Sequence, residues 1–321
     1  MLTDSSGVKR AWRKTRRRAG VVGIEVMLNA VCRIGKLHPM AWEAARKVAV
    51  TKNVPYTGSG LPAHRMDIYR PRERSGPLPT VLYVHGGGFR ILSKESHWMM
   101  ALAFASRGYL VFNVEYRRGA YPRGLEDVCQ AARWLMREGA RYGADLDRLA
   151  FAGDSAGANL VTALAVALAS TRAEPWAQAA AASGLAPKVV MPACGFLEVS
   201  DPARLLARNP SLKSWVADRI LGVSRGYVGA GAPMNSLADP LRVLESDVAF
   251  DRPLPRFLIA CGTRDPLLDD SRRLAAALAR REVPAELKVY PGGVHAFHAL
   301  VWRDLARACW RDHFAFLEDH L

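Results

Sequence analysis

The stretch "LAFAGDSAGANLVTALAVALAS", residues 149–170, joins two kinds of apolar run at a single serine. Leu149 to Ala152 are short and continuous, as in a strand buried on both faces. The run after Ser155 is longer, rich in Ala, Leu and Val and free of charge, as in a helix buried on every side. Gly153 and Gly157 flank the serine. A sharp strand-to-helix turn needs such small neighbours, and it lifts the hydroxyl to the carboxyl end of a sheet. The N-terminus of the helix then points its free N–H groups at the same spot and favours negative charge there. A serine hydroxyl is a poor nucleophile at neutral pH, so this reading requires a base and an acid to orient it.

Both partners should follow in the chain, acid before histidine, each on a loop after a strand. "LIACGTRDPLLDD", residues 258–270, puts Asp265 three residues beyond a buried strand. "LKVYPGGVHAFH", residues 287–298, puts His295 after the last strand. Asp269 and Asp270 compete with Asp265 but fall where a helix begins, and they read as its caps. His298 competes with His295 and reads as a histidine packed near the site.

Outward from this centre, strands and helices alternate. "RMDIYRP", "PTVLYVHGG", "YLVFNVEY", "RLAFAGD", "PKVVMPACG", "PRFLIACG" and "AELKVYPGG" read as strands, with helical patterns between most of them. Continuous apolar strands alternating with helices predict an α/β fold, a mostly parallel sheet covered on both faces. Two helices are expected first, over about 16–36 and 39–49, and one last, over about 299–319. The alternation breaks over 196–250, which holds prolines, glycines and the amphipathic "SLKSWVADRIL". That segment reads as an insertion.

"VLYVHGGGFR", residues 81–90, ends a strand with His85 and three glycines. Glycine belongs where a backbone bends tightly or must be approached closely. The loop is either a plain turn or a row of bare N–H groups offered to an anion.

The chain has 321 residues, 50% hydrophobic and 23% charged, with a net charge of +15. That is ample for one large domain with insertions and argues against disorder. Cys32, Cys129, Cys194, Cys261 and Cys309 are widely spaced, with no CxxC and no Cys/His cluster. This argues against a structural zinc site and a disulfide framework and suits a reducing, cytoplasmic setting. Residues 1–18 carry Lys9, Arg10, Arg13, Lys14, Arg16, Arg17 and Arg18 against Asp4 alone, a net of +6. A solvated terminus and a basic contact with anionic lipid are both consistent with it. No nucleic-acid motif accompanies the charge. "AGVVGIEVMLNAVCRIG", residues 19–35, is interrupted by Glu25 and Asn29, which argues against a signal peptide or a span. As a helix it is amphipathic and covers either the protein's own core, which we favour, or a bilayer surface.

The motifs together, H-G-G-G, G-D-S-A-G, D-P-L-x-D and H-A-F-H, resemble the hormone-sensitive-lipase-like (bacterial family IV) carboxylesterases of the α/β-hydrolase superfamily. "EYRR", "YPRGLEDV" and "SLADPLRVLE" add smaller matches, and the likeness runs from about residue 65 to the C-terminus. It implies a carboxylic ester hydrolase with Ser155, His295 and Asp265 as a triad. The N–H groups of Gly87, Gly88 and Ala156 would form the oxyanion hole, and His85 and Gly86 would hold that loop in shape. It also implies a cap built from residues 1–50 and 196–250 over a core of 51–195 and 251–321. No metal or organic cofactor is implied, and the partner is a small-molecule ester, of short- to medium-chain acyl groups. Amide or acetyl-group hydrolysis by the same triad is an alternative, and a non-catalytic binding protein on this scaffold a weaker one. The oligomeric state stays open. "RGAYP" is about three residues shorter than the family's loop, so the pocket mouth it borders departs from the family's, and Arg90 and Lys94 follow the glycines close to the site by sequence. Arg90 or Lys94 would face solvent or cap, or read an acidic group on a substrate. Phe196, Leu197, Trp215 and Ile220 would line an acyl pocket or pack within the cap.

Overall fold

A computed structural model describes residues 39–229, 233 and 235–321. The helix expected over 16–36 and the basic residues before it lie outside them. Eight strands form one sheet: β1 (Val48–Pro55), β2 (Arg65–Pro71), β3 (Leu78–Val84), β4 (Leu110–Val114), β5 (Ala144–Asp154), β6 (Val189–Ala193), β7 (Arg256–Gly262) and β8 (Ala285–Tyr290). Their order is β1-β2-β4-β3-β5-β6-β7-β8. β1 and β2 are antiparallel, and β2 pairs antiparallel with β4. From β4 to β8 every pairing is parallel.

Ten helices pack around this sheet among the described residues: α1 (Pro39–Arg46), α2 (Trp98–Ala105), α3 (Arg123–Glu138), α4 (Ala156–Ala169), α5 (Pro175–Ala181), α6 (Ala203–Arg208), α7 (Ser214–Val228), α8 (Pro240–Glu245), α9 (Leu268–Arg280) and α10 (Asp304–His320). Alternation along β3 assigns its two faces. Val81 and Tyr83 pack with Phe104 of α2 and Phe314 of α10. Leu82 and Val84 pack with Leu125 of α3 and Leu164 of α4. Every residue of α4 is buried, as its uncharged sequence predicts. No helix among the described residues is long and apolar enough to cross a membrane.

Two boundaries differ from the sequence reading. The helix expected over 39–49 stops at Arg46, and β1 begins at Val48. Val48 and Val50 are β-branched and favour a strand. β1 is an edge strand with only Val48 and Val54 buried, so it lacks a clean apolar alternation. The last helix begins at Asp304 rather than near 299, because residues 297–299 form a separate 3₁₀ turn.

The topology brings five strand ends together. In register, Val84 lies beside Gly153, Asp154 beside Ala193, and Ala193 beside Ala260. β4 lies on one side of β3 and β5 on the other, so the chain reverses its direction of travel there. Open parallel sheets bind ligands outside the carboxyl ends of the strands at such a switch point.

Candidate active site

Ser155 sits between β5 and α4 with φ +53° and ψ −112°. A positive φ at a residue with a side chain is strained and persists only where its surroundings enforce it. They do so here. A Cβ on Gly153 would lie 2.7 Å from Val84 O and from the Gly157 backbone, and one on Gly157 would overlap Val84 O. Ser155 N donates to Ala193 O (2.9 Å), and Phe196 N donates to Ser155 O (3.2 Å), so the turn is also held to β6.

The structure brings Ser155, His295 and Asp265 together. His295 Nε2 lies 3.1 Å from Ser155 Oγ, and His295 Nδ1 lies 2.9 Å from Asp265 Oδ2. Asp265 is buried, and its other oxygen accepts from Leu267 N (2.9 Å). Burial by itself would lower the His295 pKa. The Asp265 carboxylate outweighs it and holds the imidazole well above its ordinary value. With Nδ1–H donated to Asp265, Nε2 is left free to accept a proton from Ser155.

The competitors lie elsewhere. Asp269 and Asp270 do stand in the first turn of α9, but Asp270 is tied to the insertion. Its Oδ2 accepts from Leu197 N (2.8 Å) and Glu198 N (3.2 Å), and its Oδ1 pairs with Arg204 of α6 (2.6 Å). His298 is buried, and burial pushes its pKa down to about 4.

The glycine loop is built for close packing. A Cβ on Gly86 would overlap the Asp154 carboxylate, one on Gly87 (φ +115°) would overlap Ile91 O, and one on Gly88 (φ +58°) would lie 2.7 Å from Val223 of α7. No hydrogen bond among the described residues uses the N–H groups of Gly87, Gly88 or Ala156. His85 is fully buried beneath them. Its Nδ1 faces Gly86 O (2.8 Å), its Nε2 faces Glu115 Oε1 (3.1 Å), and its ring stacks on Tyr116 at 4.3 Å.

A second buried cluster escapes the sequence reading. Asp154, next to the serine, accepts from Tyr83 Oη (2.8 Å) and Gly86 N (3.1 Å), and pairs with His97 Nε2 (3.3 Å). Burial would raise its pKa, but His97 and Tyr83 hold the carboxyl below the usual range. One carboxylate thus ties the nucleophile's turn to the glycine loop. Asp154 stands inside the quoted motif, but nothing in the sequence pairs it with His97, 57 positions earlier.

Lys94 and Arg90 part company. Lys94 faces neither solvent nor cap: it is buried and paired with Asp67 (2.9 Å) and Glu95 (2.5 Å). Arg90 is exposed, with its guanidinium against Gly226 of α7. The short loop is anchored as well, through Gly119 N to Phe89 O (2.7 Å) and Tyr121 N to Tyr227 O (2.9 Å). Phe196, Leu197 and Ile220 are buried in the main apolar cluster, whereas Trp215 is 61% exposed. A polar cavity of about 790 Å³ lined by Arg65, Glu95, Glu115 and Arg123 contains none of Ser155, Asp265 or His295.

The fold that carries this strained serine turn has counterparts in known proteins. The sequence profile of the α/β-hydrolase fold matches residues 81–299. The chain belongs to that family. An acetyl-hydrolase of Streptomyces hygroscopicus is 28% identical over 280 residues, covering 85% of this chain and 86% of the relative. The crystal structure of esterase LipW from Mycobacterium marinum superposes with a TM-score of 0.73 at 25% identity, over 93% of this chain and 89% of that one. A hyperthermophilic esterase from Pyrobaculum calidifontis shares the fold, with a TM-score of 0.69 at 23% identity over 93% of each chain. The hormone-sensitive-lipase-like resemblance of the motifs is borne out, and with it an ester hydrolase of the α/β-hydrolase fold family.

Proposed function

We propose that this α/β-hydrolase cleaves carboxylic esters, of short- to medium-chain acyl groups, through an acyl-enzyme on Ser155. The observation that carries the reading is the relay from Ser155 Oγ to His295 Nε2 (3.1 Å) and from His295 Nδ1 to buried Asp265 (2.9 Å). Ser155 attacks the ester carbonyl as His295 takes its proton. His295 returns that proton to the leaving alcohol. Water, activated by the same ring, then releases the acid. Asp265 holds the tautomer and stabilises the imidazolium. The N–H groups of Gly87, Gly88 and Ala156 receive the oxyanion, and each such donor contributes roughly 3–4 kcal/mol. His85 and Gly86 keep that loop in shape.

We assign 196–250 to a cap over the core of 51–195 and 251–321; of the residues 1–50 expected in that cap, 48–50 belong to β1 of the central sheet and 1–38 lie outside the described residues. The contact of Val223 with Gly88 and the stacking of Tyr227 on Phe89 support the assignment. The acetyl-hydrolase named above supports a second reading, removal of an acetyl group from a specific metabolite by the same relay.

A p-nitrophenyl ester series from acetate to palmitate, run beside Ser155→Ala and a matched amide, tests the proposal. Turnover should peak at short to medium chains and vanish in the folded variant. A peak at palmitate would make the enzyme a lipase. Preference for the amide, or turnover that survives in Ser155→Ala, would overturn the ester reading.

A further inference from the structure

Cys194 has no part in the relay, yet it lies against it. It follows β6 with a left-handed backbone (φ +42°), fixed by its N–H to Ala260 O (2.7 Å), and it is buried. Its Sγ, a ring nitrogen of His295 and a carboxylate oxygen of Asp265 all lie within 4.8 Å of one another. This is a sulfur, nitrogen and oxygen donor set on three separate loops, held by the sheet before any ligand arrives. Its softness suits zinc or cadmium rather than magnesium or calcium.

We propose that Cys194, Asp265 and His295 form an inhibitory site for a thiophilic divalent cation such as Zn²⁺. In the free enzyme Cys194 is a thiol, as a cysteine ordinarily is at neutral pH. On binding, the metal forms a bond to Sγ and the thiol proton leaves to solvent. The Asp265 carboxylate supplies the second negative charge, and the buried complex is neutral overall. The metal takes the Nδ1 lone pair of His295, the Nδ1 proton is lost, and a proton is taken up at Nε2. No oxidation is involved. An imidazole protonated at Nε2 and metallated at Nδ1 cannot accept the proton of Ser155, so turnover stops. A water completes a tetrahedral site.

The inhibition half of this proposal rests on the ester-hydrolase reading, whereas the metal site does not. The full-length enzyme is titrated with ZnCl₂ in a non-coordinating buffer while it turns over p-nitrophenyl acetate. Each variant is normalised to its own metal-free rate. Zinc should inhibit wild type reversibly, with recovery on adding a chelator, and Cys194→Ser should need at least tenfold more zinc. CdCl₂ should produce a thiolate-to-cadmium charge-transfer band in wild type and in inactive Ser155→Ala, but not in Cys194→Ser or His295→Gln. The His295→Gln arm decides the matter should Cys194→Ser fail to fold. Equal zinc sensitivity in Cys194→Ser, a cadmium band that persists in these variants, or a band without inhibition would overturn the proposal. Should wild type turn over no ester, the cadmium band alone still decides the metal site, and the loss counts against the ester reading.

Discussion

In the proposed relay Asp265 acts on Ser155 only through His295, so its removal separates orientation from the rest of the chemistry. In Asp265→Asn the ring loses its reason to carry the proton on Nδ1, and its cation loses a charge partner. Loss of about 10⁴-fold in kcat is expected from the wrong tautomer alone. The pH profile adds a sign. His295 must be neutral to act as base, and Asp265 holds its pKa above the ordinary imidazole value. In wild type, kcat/KM therefore rises with pH through that raised pKa. The acid limb of the residual Asp265→Asn activity should move to lower pH. An unmoved limb would mean that the carboxylate does not charge-stabilise the ring. At this scale the sequence is highly legible where chain order constrains chemistry, as with Ser155, Asp265 and His295. It is silent where a contact is made only by folding, as between Asp154 and His97 or between Cys194 and His295.

The loop of residues 85–92 and helix α7 act as a unit, because each is shaped by the other. His97, at the start of α2, shares Asp154 with Gly86 N and so supports the loop from below. His97→Ala leaves a buried carboxylate without its charge partner, which costs about 3 kcal/mol or more. Urea unfolding should show that loss, and the surviving folded enzyme should lose kcat more than it gains KM, since in the proposed mechanism the displaced donors serve the oxyanion and not the ground state. From above, Tyr227 stacks on Phe89 at 3.6 Å. Its buried hydroxyl has no hydrogen-bond partner among the described residues. Tyr227→Phe should therefore be neutral or stabilising, whereas Tyr227→Ala should cost about 3–5 kcal/mol and flatten the acyl-chain preference as α7 loosens. Thermal melts and the ester series check both. The strands and most helices could be read from apolar periodicity, since both faces of the sheet are covered. β1 could not, because an edge strand with one wet face has no such run. Nor could the fit of α7 on the glycines, because Val223 and Tyr227 look like any apolar residues of an amphipathic helix.

Across the whole molecule, function follows from where the sheet reverses. The strand ends after β3, β5, β6, β7 and β8 carry the glycine loop, Ser155, Cys194, Asp265 and His295 to one edge, so residues 85 to 295 meet without any local sequence proximity. The whole chain bears a net charge of +15. Close to the site, Arg90 is exposed in the loop after the glycines, with its guanidinium against α7. Such a charge draws anionic substrates from a distance, and salt screens it over about 8–10 Å at 0.10–0.15 M. A hemisuccinate ester and a neutral ester of the same alcohol should therefore diverge with ionic strength. At low salt kcat/KM for the anionic ester should be the higher, and it should fall several-fold as NaCl rises, while the neutral ester changes little. kcat should stay constant for both, because screening acts on encounter and not on the relay at Ser155. Arg90→Ala should lose part of the anionic advantage if that residue is the nearest source of the field. Repeating the comparison without residues 1–18 separates the net +6 there from the charge of the folded core. An anionic ester whose kcat/KM ignores salt would show that the net charge serves something other than the substrate. Co-sedimentation of the same two proteins with anionic vesicles would then test the lipid contact that the basic terminus suggests.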